Sequence, residues 1–261
     1  MDSTASTSVE EISQPTNFLE RLGSAFILVM QEFSTSPAIK RLHTGNFDAR
    51  HYGSILRQIY HYTRDNPQIQ ALAAVRFRGN DRSMVRMFFR HASSEIGHDQ
   101  MALNDLSGLG EDISRIPFEN ALPATAAFNA FAFHQIQYGN PIGYLGYLYF
   151  LEFLPTSSGQ AYMDQLASLG IPRSSMTFLL EHATVDVHHN QLMARYVSGL
   201  IHNEADFEAV RYAMRVTGRL YADMLIAAIE DADNPQDWGI AHTELSRTNA
   251  LLHDAKETWQ S

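Results

Sequence analysis

Glu95 and His98 stand three residues apart, the spacing at which one helix aims a carboxylate oxygen and an imidazole nitrogen at a single point. On a wheel of 100° per residue, Met84, Phe88, His91, Glu95, His98 and Ala102 fall within a stripe about 80° wide. Its ends are apolar, so the stripe faces inward. A second stripe collects Ser175, Phe178, His182, Asp186, His189, Met193 and Tyr196, so that His182, Asp186 and His189 project from successive turns of one side. A third stretch, Gly143 to Leu154, carries one charged residue, Glu152, among aromatic and aliphatic neighbours. Buried anions repel one another and lose their hydration, and cations held between them convert that repulsion into binding. Three carboxylates and three imidazoles, Glu95, His98, Glu152, His182, Asp186 and His189, are a ligand set for two divalent metals. His91, one heptad before His98, is an additional ligand or a group behind the ligands.

Three helices must position these groups, and helical periodicity runs through nearly the whole chain while alternating patterns are scarce. The spacing predicts helices over 15–34, 48–64, 67–78, 81–107, 119–137, 141–154, 157–169, 173–202, 204–231 and 236–257. Breaks fall at Asn66-Pro67, Gly79-Asn80-Asp81, Gly139-Asn140-Pro141, Pro155, Gly170-Ile171-Pro172 and Asn234-Pro235, all turn or helix-start chemistry. The expectation is one all-α domain over 15–261, a helical bundle, preceded by a flexible tail at 1–14.

Composition narrows the chemistry. The 261 residues contain no cysteine, which removes thiolate zinc sites, iron–sulfur clusters and thiol nucleophiles and leaves oxygen and nitrogen ligands. A formal charge of −10 without a basic run gives a phosphate backbone nothing to hold, so nucleic acid is not an expected partner. The N-terminal stretch lacks the basic and apolar regions of a secretory signal, and Pro141 to Leu154 is too short to span a bilayer. Both point to a cytoplasmic protein without membrane association. Mixed imidazole and carboxylate ligation suits iron, manganese or zinc, and affinity does not choose among them.

The constellation of Glu95/His98, Glu152 behind the Gly139-Asn140-Pro141 run, and the His182/Asp186/His189 spacing resembles the haem-oxygenase-like di-iron oxidase and oxygenase family. The resemblance implies the haem-oxygenase-like helical bundle with about seven core helices, two Fe(II) ions held by those six residues, and O2 as co-substrate in the oxidation of a small molecule of the amino-acid or fatty-acid type. His91 departs from the pattern, since some members supply the first carboxylate from its position. Thiaminase-like relatives depend on a cysteine this chain lacks, and a haem-oxygenase reading leaves the six inward polar groups unexplained. Met84, Phe88, Tyr149, Phe178 and Tyr196 are the expected lining of a substrate pocket. No arginine shares the three ligand faces, although Arg76 or Arg78 could reach in from a neighbouring helix. A homodimer is compatible with this reading. The rival from another class is a non-redox ligand-binding or regulatory protein on the same scaffold, whose inward polar groups satisfy one another.

Overall fold

A computed structural model of the chain describes residues 17–77, 82–184 and 186–240, with the backbone alone for 186–190. The expected tail at 1–14 and the last part of the helix expected at 236–257 lie outside the described residues; 235–240 are not helical. The described residues form eleven α-helices and no named strand: α1 (Phe18–Ser34), α2 (Pro37–His43), α3 (Ala49–Thr63), α4 (Asn66–Arg76), α5 (Arg82–Ser94), α6 (His98–Gly108), α7 (Pro123–Tyr138), α8 (Tyr144–Ser168), α9 (Thr177–Thr184), α10 (Asp186–Leu200) and α11 (Glu204–Asp233).

Local chemistry starts these helices where the chain needs them. Asn17, Ser36 and Asn203 each accept a hydrogen bond from a backbone N–H of the first turn that follows, satisfying groups the helix leaves unpaired. Pro37 and Pro123 open α2 and α7, positions where the missing N–H costs nothing. The short α2 escapes the periodicity, although Ser36-Pro37 is a helix-start signal.

At the centre, α8 is apolar on almost every side and packs most extensively on α11. Gly146 allows this approach. A Cβ there would sit 2.1 Å from the Val210 carbonyl oxygen and 2.5 Å from the Met214 nitrogen, both backbone atoms that no rotamer change can move. Phe150, Phe33, Tyr221, Phe128 and Tyr62 form a run of edge-on ring contacts across α8, α1, α11, α7 and α3. Each buried ring contributes roughly 1.5–3 kcal/mol.

Three expected boundaries fall elsewhere. The helix expected at 81–107 is interrupted at 95–97, where Gly97 takes a left-handed φ of 101°, so α5 closes before Glu95 and α6 opens at His98. The helix expected at 173–202 is a 3-10 turn followed by α9 and α10. Conversely, Pro155 does not divide 141–154 from 157–169: α8 runs through it, and Thr156 and Ser157 hydroxyls donate to carbonyls of the preceding turn. Proline removes one N–H and its bond, and the surrounding packing holds the helix together across that gap.

Candidate metal centre

Two carboxylates, one from the turn between α5 and α6 and one from α8, converge on one imidazole. His91 Nε2 on α5 lies 3.1 Å from Glu152 Oε1 on α8 and 3.4 Å from Glu95 Oε1. Ligand atoms of these three residues all lie within 4.8 Å of one another. His98 Nδ1 stands 3.2 Å from the other oxygen of Glu95, because the turn at Gly97 keeps the pair adjacent across the helix break. His182 on α9 completes the described cluster, its ring edge-on to His98 with centroids 4.9 Å apart. The Nδ1–H of His182 donates to the Phe178 carbonyl oxygen at 2.7 Å, which leaves Nε2 with a bare lone pair.

The electrostatics follow from burial and proximity. Burial alone would push Glu95 up, but hydrogen bonds from His91 and His98 outweigh it and hold the carboxyl well below the usual range. Burial opposes a charge on His91, yet Glu152 and Glu95 together push it up to about 9. Glu95 also raises His98. His182 moves down, through burial and the neighbouring charge of His98. The anionic charge of Glu95 and Glu152 is thus countered by protons on imidazoles, the role a multivalent cation would take.

Tyrosines close the rear of the centre. Tyr196 Oη is 3.4 Å from His91 Nδ1, with the two rings nearly parallel. Burial and the nearby carboxylates hold Tyr144 and Tyr196 far above the ordinary phenol value, so both remain neutral hydroxyls.

Of the six expected ligands, the structure brings Glu95, His98, Glu152 and His182 together, with His91 between the two glutamates. Asp186 and His189 lie on α10, and their side chains are outside the described residues.

The centre opens on a cavity of about 1230 Å3, its open mouth counted. Its wall follows α8 from Tyr144 to Leu166 and takes in Glu95, Glu152 and His182. Among the described residues lining it there is no lysine or arginine; Arg76 is not one of them, and Arg78 lies outside the described residues. Of the five expected pocket residues, Phe178 lines this cavity. Met84, Phe88, Tyr149 and Tyr196 do not. Met84 packs against Gly199, Phe88 is enclosed by Phe77, Tyr144 and Tyr196, and Tyr149 turns toward Phe26 and Phe153. These residues share a helical face with the ligands, but neighbouring helices fill the space beside them. The opposite wall, including Tyr52, Ile59 and Tyr62 of α3, was not expected, although its three- and four-residue apolar spacing was visible in the sequence.

Comparison with known proteins now bears on this arrangement. The family model described as iron-containing redox enzyme matches residues 54–222, well over half the chain and most of the helices that surround the centre. The chain belongs to that family. No curated protein matches the chain. Among solved structures, it is similar to a domain of unknown function with a heme oxygenase-like fold from Shewanella denitrificans, at 24% identity and a TM-score of 0.74 over 84% of this chain and 95% of that one. A TenA homolog from Pseudomonas syringae pv. tomato aligns at 13% identity and a TM-score of 0.66, covering 88% and 100% of the two chains. A TenA homologue from P. horikoshii does so at 11% and 0.65, covering 82% and 98%. These likenesses identify the fold as haem-oxygenase-like.

Proposed function

We propose that this iron-containing redox enzyme is a non-haem di-iron oxidase or oxygenase that uses O2 to oxidise a small, largely apolar molecule. The observation that carries the reading is the convergence of Glu95 and Glu152, from different segments, on the same buried point beside an apolar cavity. The donor set fits iron: carboxylates and imidazoles with no thiolate, partly buried, and a His182 Nε2 left bare. Glu95, His98, Glu152, His182, Asp186 and His189 would hold two Fe(II) ions, and His91 sits close enough to both glutamates to ligate or to hold the proton that a metal displaces. Bound iron would supply the electrons that activate O2.

The chain's own residues do the rest. Glu95 and Glu152 carry the negative charge that attracts the cations, and the Phe178 carbonyl fixes the tautomer of His182. Tyr144 and Tyr196 stay protonated beside the centre, able to donate a hydrogen bond without adding charge. Leu148, Leu151, Leu154 and Phe178 exclude water from the wall next to Glu152. A wall that follows about six turns of α8, apolar and without a cation among its described residues, favours an elongated chain of the fatty-acyl type over a zwitterionic amino acid.

Anaerobic titration with Fe(II) should saturate near two equivalents, and the loaded protein should consume O2 faster when a long-chain acyl substrate is present. No uptake of iron, or iron uptake with no O2 consumption across acyl and amino-acid libraries, would overturn the proposal. The non-redox reading has one observation in its favour, the contacts among His91, Glu95, Glu152 and His98 that already offset one another's charge. Chelator treatment separates the two: thermal stability of the isolated protein drops on iron removal only where iron is held.

A further inference from the structure

One buried carboxylate held by several hydrogen bonds lies outside the expected ligand set. Asp105, on α6 and 1% exposed, receives three of them from the start of α9. Its Oδ1 accepts from the Thr177 amide at 2.9 Å and the Thr177 hydroxyl at 2.7 Å; its Oδ2 accepts from the Phe178 amide at 2.9 Å. The Phe178 carbonyl in turn accepts from His182 Nδ1, and the Phe178 ring lies over the His182 imidazole with centroids 4.1 Å apart. Asp105 therefore belongs to the helix that His98 opens, and the residue it grips belongs to the helix that carries His182. The two imidazoles that meet edge-on are tied together through it.

We propose that Asp105 is a positioning residue for the metal centre. By holding the backbone of Phe178 across the α6–α9 contact, it keeps His182 in the Nδ1–H tautomer and at a fixed distance from His98, with Nε2 bare to ligate. A carboxylate is required because three donors meet it and it has none of its own. An amide in its place would turn an NH2 group toward either the Thr177 pair or the Phe178 amide. The inference rests on the metal-centre reading for its purpose, but the tautomer itself does not depend on metal.

Two measurements on the full chain test it. Long-range 1H–15N spectra of 15N-histidine-labelled, metal-free protein read the tautomer of His182, and Co(II) titration reads the affinity of the centre. Wild-type protein should show the Nδ1–H form. Asp105→Asn should mix the tautomers and weaken Co(II) binding by roughly tenfold to a hundredfold. Thr177→Val removes the hydroxyl bond while leaving the Phe178 amide in place, so it should lower the melting temperature and leave tautomer and affinity as they are. If Asp105→Asn loses stability with tautomer and affinity unchanged, Asp105 is a helix cap only and the inference is overturned. If the tautomer moves but wild-type protein takes up no metal, the positioning role stands and the metal reading falls. Should Asp105→Asn not fold, Asp105→Glu, which shifts the oxygens by one methylene, carries the same readouts and expectations.

Discussion

Two places in this molecule set a buried histidine between carboxylates, and they do different things. At the open end of α3, His51 accepts from the Asp48 amide through Nδ1 and meets Asp233 of α11 through Nε2, 2.9 Å away. Both acids there are substantially exposed, and each has a guanidinium partner, Arg50 for Asp48 and Arg41 for Asp233. This is a helix cap joined to a surface ion pair. At the centre, His91 lies between Glu95 and Glu152, whose side chains are only 11% exposed, with no arginine or lysine among the described residues of the adjoining cavity wall. Residue types are almost the same at both. What separates a structural cluster from a chemical one is burial of the acids, absence of a permanent counter-charge, and an open space next to them.

The comparison breaks most readily at Glu152. Glu152→Ala should reduce bound iron from about two equivalents to one or fewer, whereas His51→Ala should leave uptake untouched and lower stability by about 1–2 kcal/mol through loss of the cap. Equal iron uptake in both variants would erase the distinction drawn between the clusters. A third histidine sharpens it. His61 is 2% exposed, neither ring nitrogen has a hydrogen-bond partner, and burial with the charges of Arg64 and Arg57 lowers it to about 3. Its folded pKa lies below the unfolded value, so the unfolded chain gains the proton first and stability is lost as pH falls from about 6.5 toward 3, by an amount on the order of a few kcal/mol. In His61→Leu that part of the acid limb should flatten in denaturant melts taken across the pH range.

Smaller effects probe the scaffold under the centre. Gly146→Ala should cost about 3 kcal/mol, because the added methyl meets backbone atoms of α11 and drives α8, the helix of Glu152, outward. A melting temperature within a degree or two of wild type would show that the α8–α11 approach is looser than described. Gly97→Ala, with open space around its Cβ but a φ of 101°, should cost about 1–2 kcal/mol by backbone strain alone. Urea melts of the two glycine variants distinguish a clash from a strained turn.

Much of this was readable beforehand. A lone glutamate in the run from Gly143 to Leu154, and polar residues in phase with Phe88 and Phe178, mark inward acids and imidazoles because burial is encoded in apolar neighbours one turn away. Helix continuity was less readable. Pro155 looked like an end, yet the packing around it carries α8 through, whereas the helix read across Gly97 stops there because glycine takes the left-handed φ that ends it. The pocket lining was read from the ligand helices alone and so missed α3 and α11, whose cavity faces are decided by which helices oppose them. Asp105 resembled any acid near a helix end; its partners at 177 and 178 are adjacent only after folding.

The turn at Gly97 changes what kind of pair Glu95 and His98 are. Were they fixed on one continuous rod, their separation would be set by helical pitch and nothing else could alter it. Because Glu95 lies in the turn after one segment and His98 begins the next, the gap between carboxylate and imidazole is set by the geometry of this joint, and both segments keep their internal bonds on either side of it.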